Sequence, residues 1–455
     1  MMYPQISVYS IHNISCCDYK IKNYYKDEVS FGVSVFELPR GTRDFSPAEM
    51  YVRRYIEKKL STVFRSYGYK EVQTPTFEYL ELFTAKSGEQ IIDEIYSFRD
   101  KGGRDLALRP ELTAPVIRFY ASSMQMDPKP LKLFYFGNCY RYDRPQKGRY
   151  REFMQAGCEL IGTNTPEAIA EMISMAYALV REVGVKQISL EIGDLSLLHQ
   201  IFELFNISED QRDELVPLID KQEFEGIEEL LHEFGIADDQ CLHMLSFLAP
   251  SSIDQIQSTL DSIGNELCDL TRLRTIFTLL KESFSIMDVT INLGIVRGLE
   301  YYSGIVFEIE APSLGAEKQI CGGGEYELLS LFSARELPTA GFALGFDRTI
   351  LAMEMENQSV PKDFIDYFII PVGGENISYA LSVAQQLRSY HLTVDIELMG
   401  RNVGKSMKYA NTKQAKYTII IGYTERKQDA VTIRDMTTGE QTLVSLHDLY
   451  KRFDQ

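Results

Sequence analysis

A cluster of basic side chains lies between two apolar segments, and its composition suits the binding of phosphate. Residues 141 to 151 contain one acid, Asp143, and five cationic side chains: Arg141, Arg144, Lys147, Arg149 and Arg151. The apolar segment 131–136 predicts a strand, and the alternating segment 153–161 predicts its antiparallel return. Guanidinium groups on a rigid hairpin suit phosphate, because the planar group donates two hydrogen bonds at once. The alternative is a solvated basic loop.

The segment before this hairpin predicts a helix followed by an interrupted strand. Ser46 is a typical helix N-cap and precedes a proline, and the apolar spacing continues to about Tyr67, after which Gly68 ends the helix. The strand predicted over 70–79 contains Pro75, which favours an edge or an interface over the centre of a sheet.

The remaining patterns divide the chain into parts. They predict a hairpin over 95–113, helices over 113–122 and 166–183, and an almost wholly helical segment over 201–285 with breaks near Gly235 and Pro250. Strands and helices alternate towards the C-terminus, which indicates a small α/β domain. We predict the following parts: an N-terminal extension at 1–36, a core at 37–200, a helical insertion at 201–285, the second part of the core at 286–356, and the α/β domain at 363–455.

The distribution of charge matters more than its sum of −18. Residues 201–285 carry 5 basic and 18 acidic side chains, a net charge of −13. Residues 361–455 carry 12 basic and 11 acidic side chains and are nearly balanced. A polyanion could therefore bind the hairpin and the C-terminal part while the acidic segment stays clear of it.

Composition excludes several classes of protein and of site. Apolar content of 45% and charged content of 25% are ordinary for a globular protein, and no apolar run approaches the length of a membrane span. The N-terminus shows no secretory signal. The 7 cysteines form no Cys-x-x-Cys pair and share no ligand spacing with the 6 histidines, so we expect reduced thiols, no metal site and a cytoplasmic location.

Three glycine-marked segments follow the insertion, namely RGLEYYSG (297–304), CGGGEY (321–326) and GFALGFDR (341–348). The predicted helix with its Pro75 strand, the basic segment RYDRPQKGRYREF and these three segments, in this order, resemble the histidyl-tRNA synthetase family of class II aminoacyl-tRNA synthetases. The resemblance runs from about Glu37 to the C-terminus and is weakest over 201–285.

This resemblance implies a fold and an activity. The fold would be α+β: an antiparallel-sheet catalytic core of class II type with a helical insertion and a C-terminal α/β anticodon-binding domain. The activity would be activation of L-histidine by ATP, with Mg²⁺ accompanying the nucleotide, and transfer of histidine to the 3′ end of tRNA(His). A homodimer built through the segment around Pro75 is expected.

The resemblance also assigns the nucleotide-binding residues. Arg141 would hold the α-phosphate, Arg297 would lie across it, and Arg348 would bind the far phosphates or the adenine; these three are the expected catalytic residues. Phe153 would stack on adenine, Asp143 would contact its edge, and Arg149 would also bind ATP. An ion pair with Glu300 or Glu308 is the alternative role of Arg297.

Histidine and tRNA would be bound by neighbouring residues. Glu159 would accept a ring N–H of histidine, Tyr302 would serve another ring position and Tyr301 would line the pocket. The α-ammonium would be held by Glu111, Thr113 and Gln155. The tRNA would contact Arg144, Gln146 and Lys147. Without the family, Glu111 would be an ordinary acid at a helix N-terminus, and the two tyrosines would be core residues.

Three positions depart from the usual family pattern. Asp143 replaces a glutamate, Glu300 replaces a frequent aspartate, and Glu325 follows the triple glycine where arginine is usual, so an ordinary ion pair there would be lost or reversed.

Two alternative functions remain open. One is a non-catalytic paralogue such as the regulatory subunit of ATP phosphoribosyltransferase, and the other is a class II synthetase for proline or threonine.

Overall fold

The structure is a computed structural model that describes residues 37–453, apart from 88, 146–147, 265–267, 297–301 and 333–335. The predicted N-terminal extension, residues 1–36, lies outside the described residues. The α-helices are α1 (Pro47–Ser66), α2 (Glu81–Ser87), α3 (Thr113–Phe119), α4 (Pro166–Glu182), α5 (Leu195–Leu204), α6 (Glu209–Asp220), α7 (Phe224–Glu233), α8 (Asp238–Leu248), α9 (Ile253–Ser262), α10 (Thr271–Glu282), α11 (Phe346–Met355), α12 (Ile377–Ser389), α13 (Val403–Thr412), α14 (Tyr423–Lys427) and α15 (Leu446–Lys451).

The strands form three sheets. Their bounds are β1 (Lys70–Glu71), β2 (Phe77–Tyr79), β3 (Ser97–Arg99), β4 (Asp105–Leu108), β5 (Leu131–Tyr140), β6 (Glu152–Ile161), β7 (Ser189–Asp194), β8 (Val289–Ile291), β9 (Tyr302–Glu310), β10 (Gln319–Tyr326), β11 (Thr339–Gly345), β12 (Ile365–Pro371), β13 (Val394–Ile396), β14 (Ala415–Ile421), β15 (Ala430–Asp435) and β16 (Gln441–Ser445).

The largest sheet has eight strands in the order β1-β5-β6-β11-β10-β9-β7-β8. Its pairs from β5 to β7 are antiparallel, and a parallel pair closes each edge. The predicted basic hairpin is confirmed, because β5 and β6 pair antiparallel along their full length and the basic residues connect them. The sheet therefore places the cationic segment at the end of its central strands.

The first helix packs on this sheet as its sequence predicts. Ser46 accepts a hydrogen bond from the backbone N–H of Glu49, whose carboxylate accepts the N–H of Ser46, a reciprocal cap that begins α1. Leu60 and Phe64 are fully buried against the sheet, and the Phe64 ring stacks on Phe134 of β5 at 4.8 Å.

The Pro75 segment is two short strands in different sheets rather than one strand. β1 pairs with the edge of the large sheet, whereas β2 joins a small sheet of order β2-β4-β3. The predicted hairpin over 95–113 supplies β3 and β4 of that small sheet. Proline lacks an N–H for a ladder, which explains why pairing stops between β1 and β2.

The acidic segment is helical from α6 to α10, and its predicted breaks at Gly235 and Pro250 lie between helices. Its apolar faces join the core of the large sheet, since Phe247 of α8 and Ile291 of β8 belong to one buried cluster. The C-terminal part is the predicted α/β domain, a sheet of order β13-β12-β14-β15-β16 with parallel pairing at β13-β12-β14.

Candidate active site

A cleft of about 520 Å³ lies over the central strands of the large sheet. Seven of the predicted site residues line it: Arg141, Asp143, Arg149, Phe153, Gln155, Tyr302 and Arg348. Arg144 is exposed on the connecting segment of the hairpin. Five residues named in the predictions lie outside the described residues: Gln146, Lys147, Arg297, Glu300 and Tyr301. The sheet thus brings cations from the β5–β6 hairpin and from α11 to a single cleft.

Glu159 of β6 is a fully buried carboxylate between two phenols. Its Oε1 accepts a hydrogen bond of 3.0 Å from Tyr135, and its Oε2 accepts one from Tyr326. The opposing strand leaves room only because residue 341 is glycine, since a Cβ there would lie 2.1 Å from Glu159 Oε2. Burial raises the pKa of Glu159 to about 8, although hydrogen bonds from Tyr326, Tyr135 and Thr113 oppose the rise.

The raised pKa of Glu159 predicts how stability depends on pH. The folded protein keeps a proton that the unfolded chain releases above its ordinary pKa of 4.5. The free energy of unfolding should therefore fall as pH rises from 4.5 towards about 8, by up to about 1.4 kcal/mol per pH unit, and then level off. Urea unfolding of the wild type and of E159Q at several pH values tests this, and parallel pH profiles would contradict it.

Glu111 is oriented by the backbone that follows it. Its carboxylate accepts the N–H of Thr113 and, at 3.1 Å, the N–H of Ala114, so it caps the start of α3. Burial raises its pKa. On β6, Gln155 Oε1 accepts a hydrogen bond of 3.2 Å from the thiol of Cys139. Both side chains are held before any ligand binds, as a specific polar site requires.

The other end of the cleft is cationic. The Nε of Arg141 donates to the carbonyl of Pro110 at 3.0 Å, and its guanidinium lies 5.5 Å from the centre of the Phe153 ring. Arg348, in the first turn of α11, donates to the carbonyls of Gly148 and Gln319, both at 3.0 Å. These backbone contacts fix two guanidinium groups towards the same space.

Carboxylates accompany these cations. Glu317 lies 2.7 Å from Nη2 of Arg348 and 3.6 Å from Nη2 of Arg149. Asp143 lies 3.9 Å from Nε of Arg149. Within the described ranges, no group of three or more His, Cys, Asp or Glu side chains has the arrangement of a metal site.

Sequence reasoning missed a buried carboxylate next to Arg348. Asp347 accepts hydrogen bonds from Arg43 at 2.8 Å, from Arg53 of α1 at 2.5 Å and from the backbone N–H of Met154 at 2.8 Å. It thereby joins α1, β6 and α11 at the wall of the cleft. The sequence signal that could have identified Asp347 is its position directly before Arg348. Its two arginine partners could not be predicted in this way, because they are about 300 residues away in the chain.

Tyr135 and Tyr326 were also missed as partners of Glu159. Tyr326 ends the CGGGEY segment, and Tyr135 lies on the strand opposite Glu159 in the predicted hairpin. Glu325, one of the predicted departures, forms an ion pair, because Nη2 of Arg272 on α10 lies 2.6 Å from its Oε1. No helix in the described part of the chain combines the length and the apolar character needed to cross a membrane.

The comparisons with known proteins agree on one family. A family model described as histidyl-tRNA synthetase matches residues 41–349, and one described as anticodon binding domain matches residues 366–455. The chain is 45% identical to the histidine–tRNA ligase of Archaeoglobus fulgidus over 91% of this chain and 98% of that relative. It is 43% identical to the histidine–tRNA ligase of Methanosarcina acetivorans over 91% of this chain and 97% of the relative. The crystal structure of histidyl-tRNA synthetase from Nostoc sp. PCC 7120 superposes with a TM-score of 0.77 at 25% identity, covering 92% and 98% of the two chains.

Proposed function

The chain belongs to the histidyl-tRNA synthetase family, and on that premise we propose that it activates L-histidine with ATP and transfers it to the 3′ end of tRNA(His). The observation that supports this most directly is the arrangement around Glu159. A buried carboxylate held by two phenols lies beside a cleft that also presents Arg141 and Arg348. An amino acid with a ring N–H and a nucleotide triphosphate are complementary to these two ends.

At the amino-acid end, Glu159 would accept an imidazole N–H. Tyr302 lines the cleft, and burial together with the nearby charge of Glu159 raises the pKa of its phenol, so its hydroxyl would serve another ring position. Glu111, Thr113 and Gln155 would hold the α-ammonium, and Tyr301 would complete the pocket. A ligand without a ring N–H would give Glu159 no hydrogen bond beyond those from its two phenols, while still excluding water from the pocket, which is the physical basis for rejecting it.

At the nucleotide end, Arg141 would bind the α-phosphate and Arg348 the far phosphates or the adenine face. Phe153, 5.5 Å from the Arg141 guanidinium, would stack on adenine, with Asp143 and Arg149 at its edge. Arg297 would add charge at the α-phosphate, and Mg²⁺ would enter with ATP as part of that substrate. These cations would neutralise the negative charge that develops on the phosphoryl oxygens in the transition state.

The chemistry has two steps. An oxygen of the histidine carboxylate attacks the α-phosphorus, and the bond to the bridging oxygen breaks to release pyrophosphate. A terminal ribose hydroxyl of tRNA then attacks the carbonyl carbon of histidyl-adenylate and AMP leaves. In both steps the residues proposed here bind and orient the reactants and stabilise negative charge.

The tRNA would contact the hairpin and the C-terminal domain. Arg144 is exposed next to the cleft, and with Gln146 and Lys147 it would approach the acceptor end. In the C-terminal domain some cations already have protein partners, since Lys416 lies 2.8 Å from Asp366 and Arg426 donates to the Glu375 carbonyl. We place the reaction in the cytoplasm, where tRNA is charged for translation.

The test is ATP–pyrophosphate exchange with each of the twenty amino acids. We expect exchange with histidine alone. Exchange with another amino acid would preserve the fold and contradict the role of Glu159, whereas no exchange with any amino acid would favour the non-catalytic paralogue. That paralogue is disfavoured because the chain has the anticodon-binding domain and the cleft has Arg141 and Arg348 in place.

A homodimer is the proposed assembly, and the small sheet offers a surface for it. Phe77, Tyr79 and Phe98 are 53%, 48% and 44% exposed, and the rings of Phe77 and Phe98 pack edge to face at 6.4 Å. Exposed aromatic residues clustered on one sheet are typical of an interaction surface.

Replacing Phe98 with glutamate should convert the dimer to a monomer at micromolar concentration, because a charge would replace an apolar contact that occurs twice in a two-fold interface. Light scattering coupled to size exclusion measures the mass. L242E is the matched control, since Leu242 is 64% exposed on α8. A dimeric F98E, or a monomeric wild type, would contradict the proposed interface.

A further inference from the structure

A salt bridge with a buried carboxylate joins the acidic insertion to the strands beside the proposed histidine pocket. Nη2 of Arg272, on α10, lies 2.6 Å from Oε1 of Glu325 on β10 and donates to the carbonyl of Asn164 at 2.6 Å. The Glu325 side chain is only 5% exposed, whereas that of Arg272 is 32% exposed. Breaking such a pair is costly, because it leaves an uncompensated charge in a buried place.

The Glu325 carboxylate connects two neighbouring strands. It accepts hydrogen bonds from the amide of Asn164 at 2.9 Å and from the backbone N–H of Ile305 on β9 at 3.3 Å. Residue 304 must be small for this, since a Cβ on Gly304 would lie 2.8 Å from Glu325 Oε2. The register of β9 against β10 changes beside this carboxylate, between Gly324 and Tyr326. Glu325 therefore supplies contacts where the regular ladder is interrupted.

Each of the two strands carries a phenol near the cleft or near Glu159. Tyr326 follows Glu325 directly and donates to Glu159. Tyr302 begins β9, pairs with Tyr326 across the ladder and lines the cleft. A shift of either strand at Glu325 would move one of these hydroxyl groups relative to the histidine-binding carboxylate, and small displacements of positioning groups have large effects on binding and rate.

We propose that Arg272 is a positioning residue for histidine, through which the helical insertion holds Glu325 and thereby the Tyr302 and Tyr326 hydroxyl groups around Glu159. This inference rests on the proposed function.

The experiment compares R272M, R272K and R274M in histidine-dependent ATP–pyrophosphate exchange, with KM measured separately for histidine and for ATP. Arg274 is the matched control, because it is on the same helix but 45% exposed and 3.5 Å from Asp254, which is itself 86% exposed. R272M should raise the KM for histidine about tenfold and change the KM for ATP less than about twofold, within the range of coupling through positioning residues. R272K, which keeps the cation, should stay within about threefold of the wild type.

A purely structural role predicts other results. The inference is wrong if R272M lowers the thermal unfolding midpoint without changing the KM for histidine, or if it raises the KM for histidine and the KM for ATP equally. E325Q provides a second measurement should R272M fold poorly, because the amide keeps hydrogen-bonding capacity but not the charge; it should raise the KM for histidine alone, and an unchanged value would overturn the inference. Absence of histidine-dependent exchange in the wild type would overturn the proposed function. If the wild type shows exchange and R272M has the same KM for histidine as the wild type, only this inference is overturned.

Discussion

Replacing Glu159 with glutamine should reduce kcat/KM for histidine in ATP–pyrophosphate exchange about a hundredfold, with little change in the KM for ATP. Glutamine has nearly the same size, so the pocket keeps its shape. The carboxylate, however, accepts from Tyr135 and from Tyr326, and an amide can offer only one oxygen to these two donors. One phenol must turn its proton away, and the imidazole N–H must compete with the phenols for a single acceptor oxygen.

The control for this prediction lies on the same strand. Glu152 begins β6 and accepts hydrogen bonds from Asn138 at 2.9 Å and Tyr140 at 3.3 Å, away from the Glu159 pocket. E152Q should therefore leave the KM for histidine within about twofold of the wild type. If E159Q weakens the binding of histidine and the binding of ATP equally, the substitution disturbs the whole cleft, and the assignment of the pocket fails.

Local sequence signals predicted the elements that carry the site. The cap at Ser46, the helix pattern over 166–183 and the alternation around the basic segment are each visible in the local sequence, and each predicted element is present. The interruption at Pro75 was also predicted, but the division into two sheets was not. Proline indicates where pairing stops, whereas the sheet that each half joins depends on tertiary contacts.

Long-range partners were beyond the reach of pattern and spacing. Tyr326 contacts Glu159 across 167 residues of chain, and Arg53 contacts Asp347 across 294. Nothing in the local sequence of a tyrosine or an arginine indicates which buried carboxylate it will meet. The departure at Glu325 was visible because the family pattern supplied an expectation, but its partner Arg272 lies in the segment where the resemblance is weakest.

Replacing Arg141 with alanine should lower kcat for ATP–pyrophosphate exchange by about a hundred- to a thousandfold, which is the usual effect of removing one preorganised donor from a developing oxyanion. Arg141 is preorganised because its Nε is held by the Pro110 carbonyl at 3.0 Å. Lysine should restore only part of the rate, since it supplies a charge without the planar fork. Presteady-state formation of histidyl-adenylate measures the affected step directly.

Arg141 also has an indirect effect on the amino-acid end. Burial raises the pKa of Glu111, and the charge of Arg141 is one of the influences that oppose this rise. R141A should therefore raise the pKa of Glu111 further, so the loss of kcat/KM should grow as the pH is lowered, because a protonated Glu111 holds the histidine α-ammonium less well. R54A is the control, since Arg54 is 68% exposed on α1 and pairs with Glu57. A loss in R141A that is independent of pH would confine Arg141 to the phosphate, and exchange at the wild-type rate would remove it from the catalytic residues.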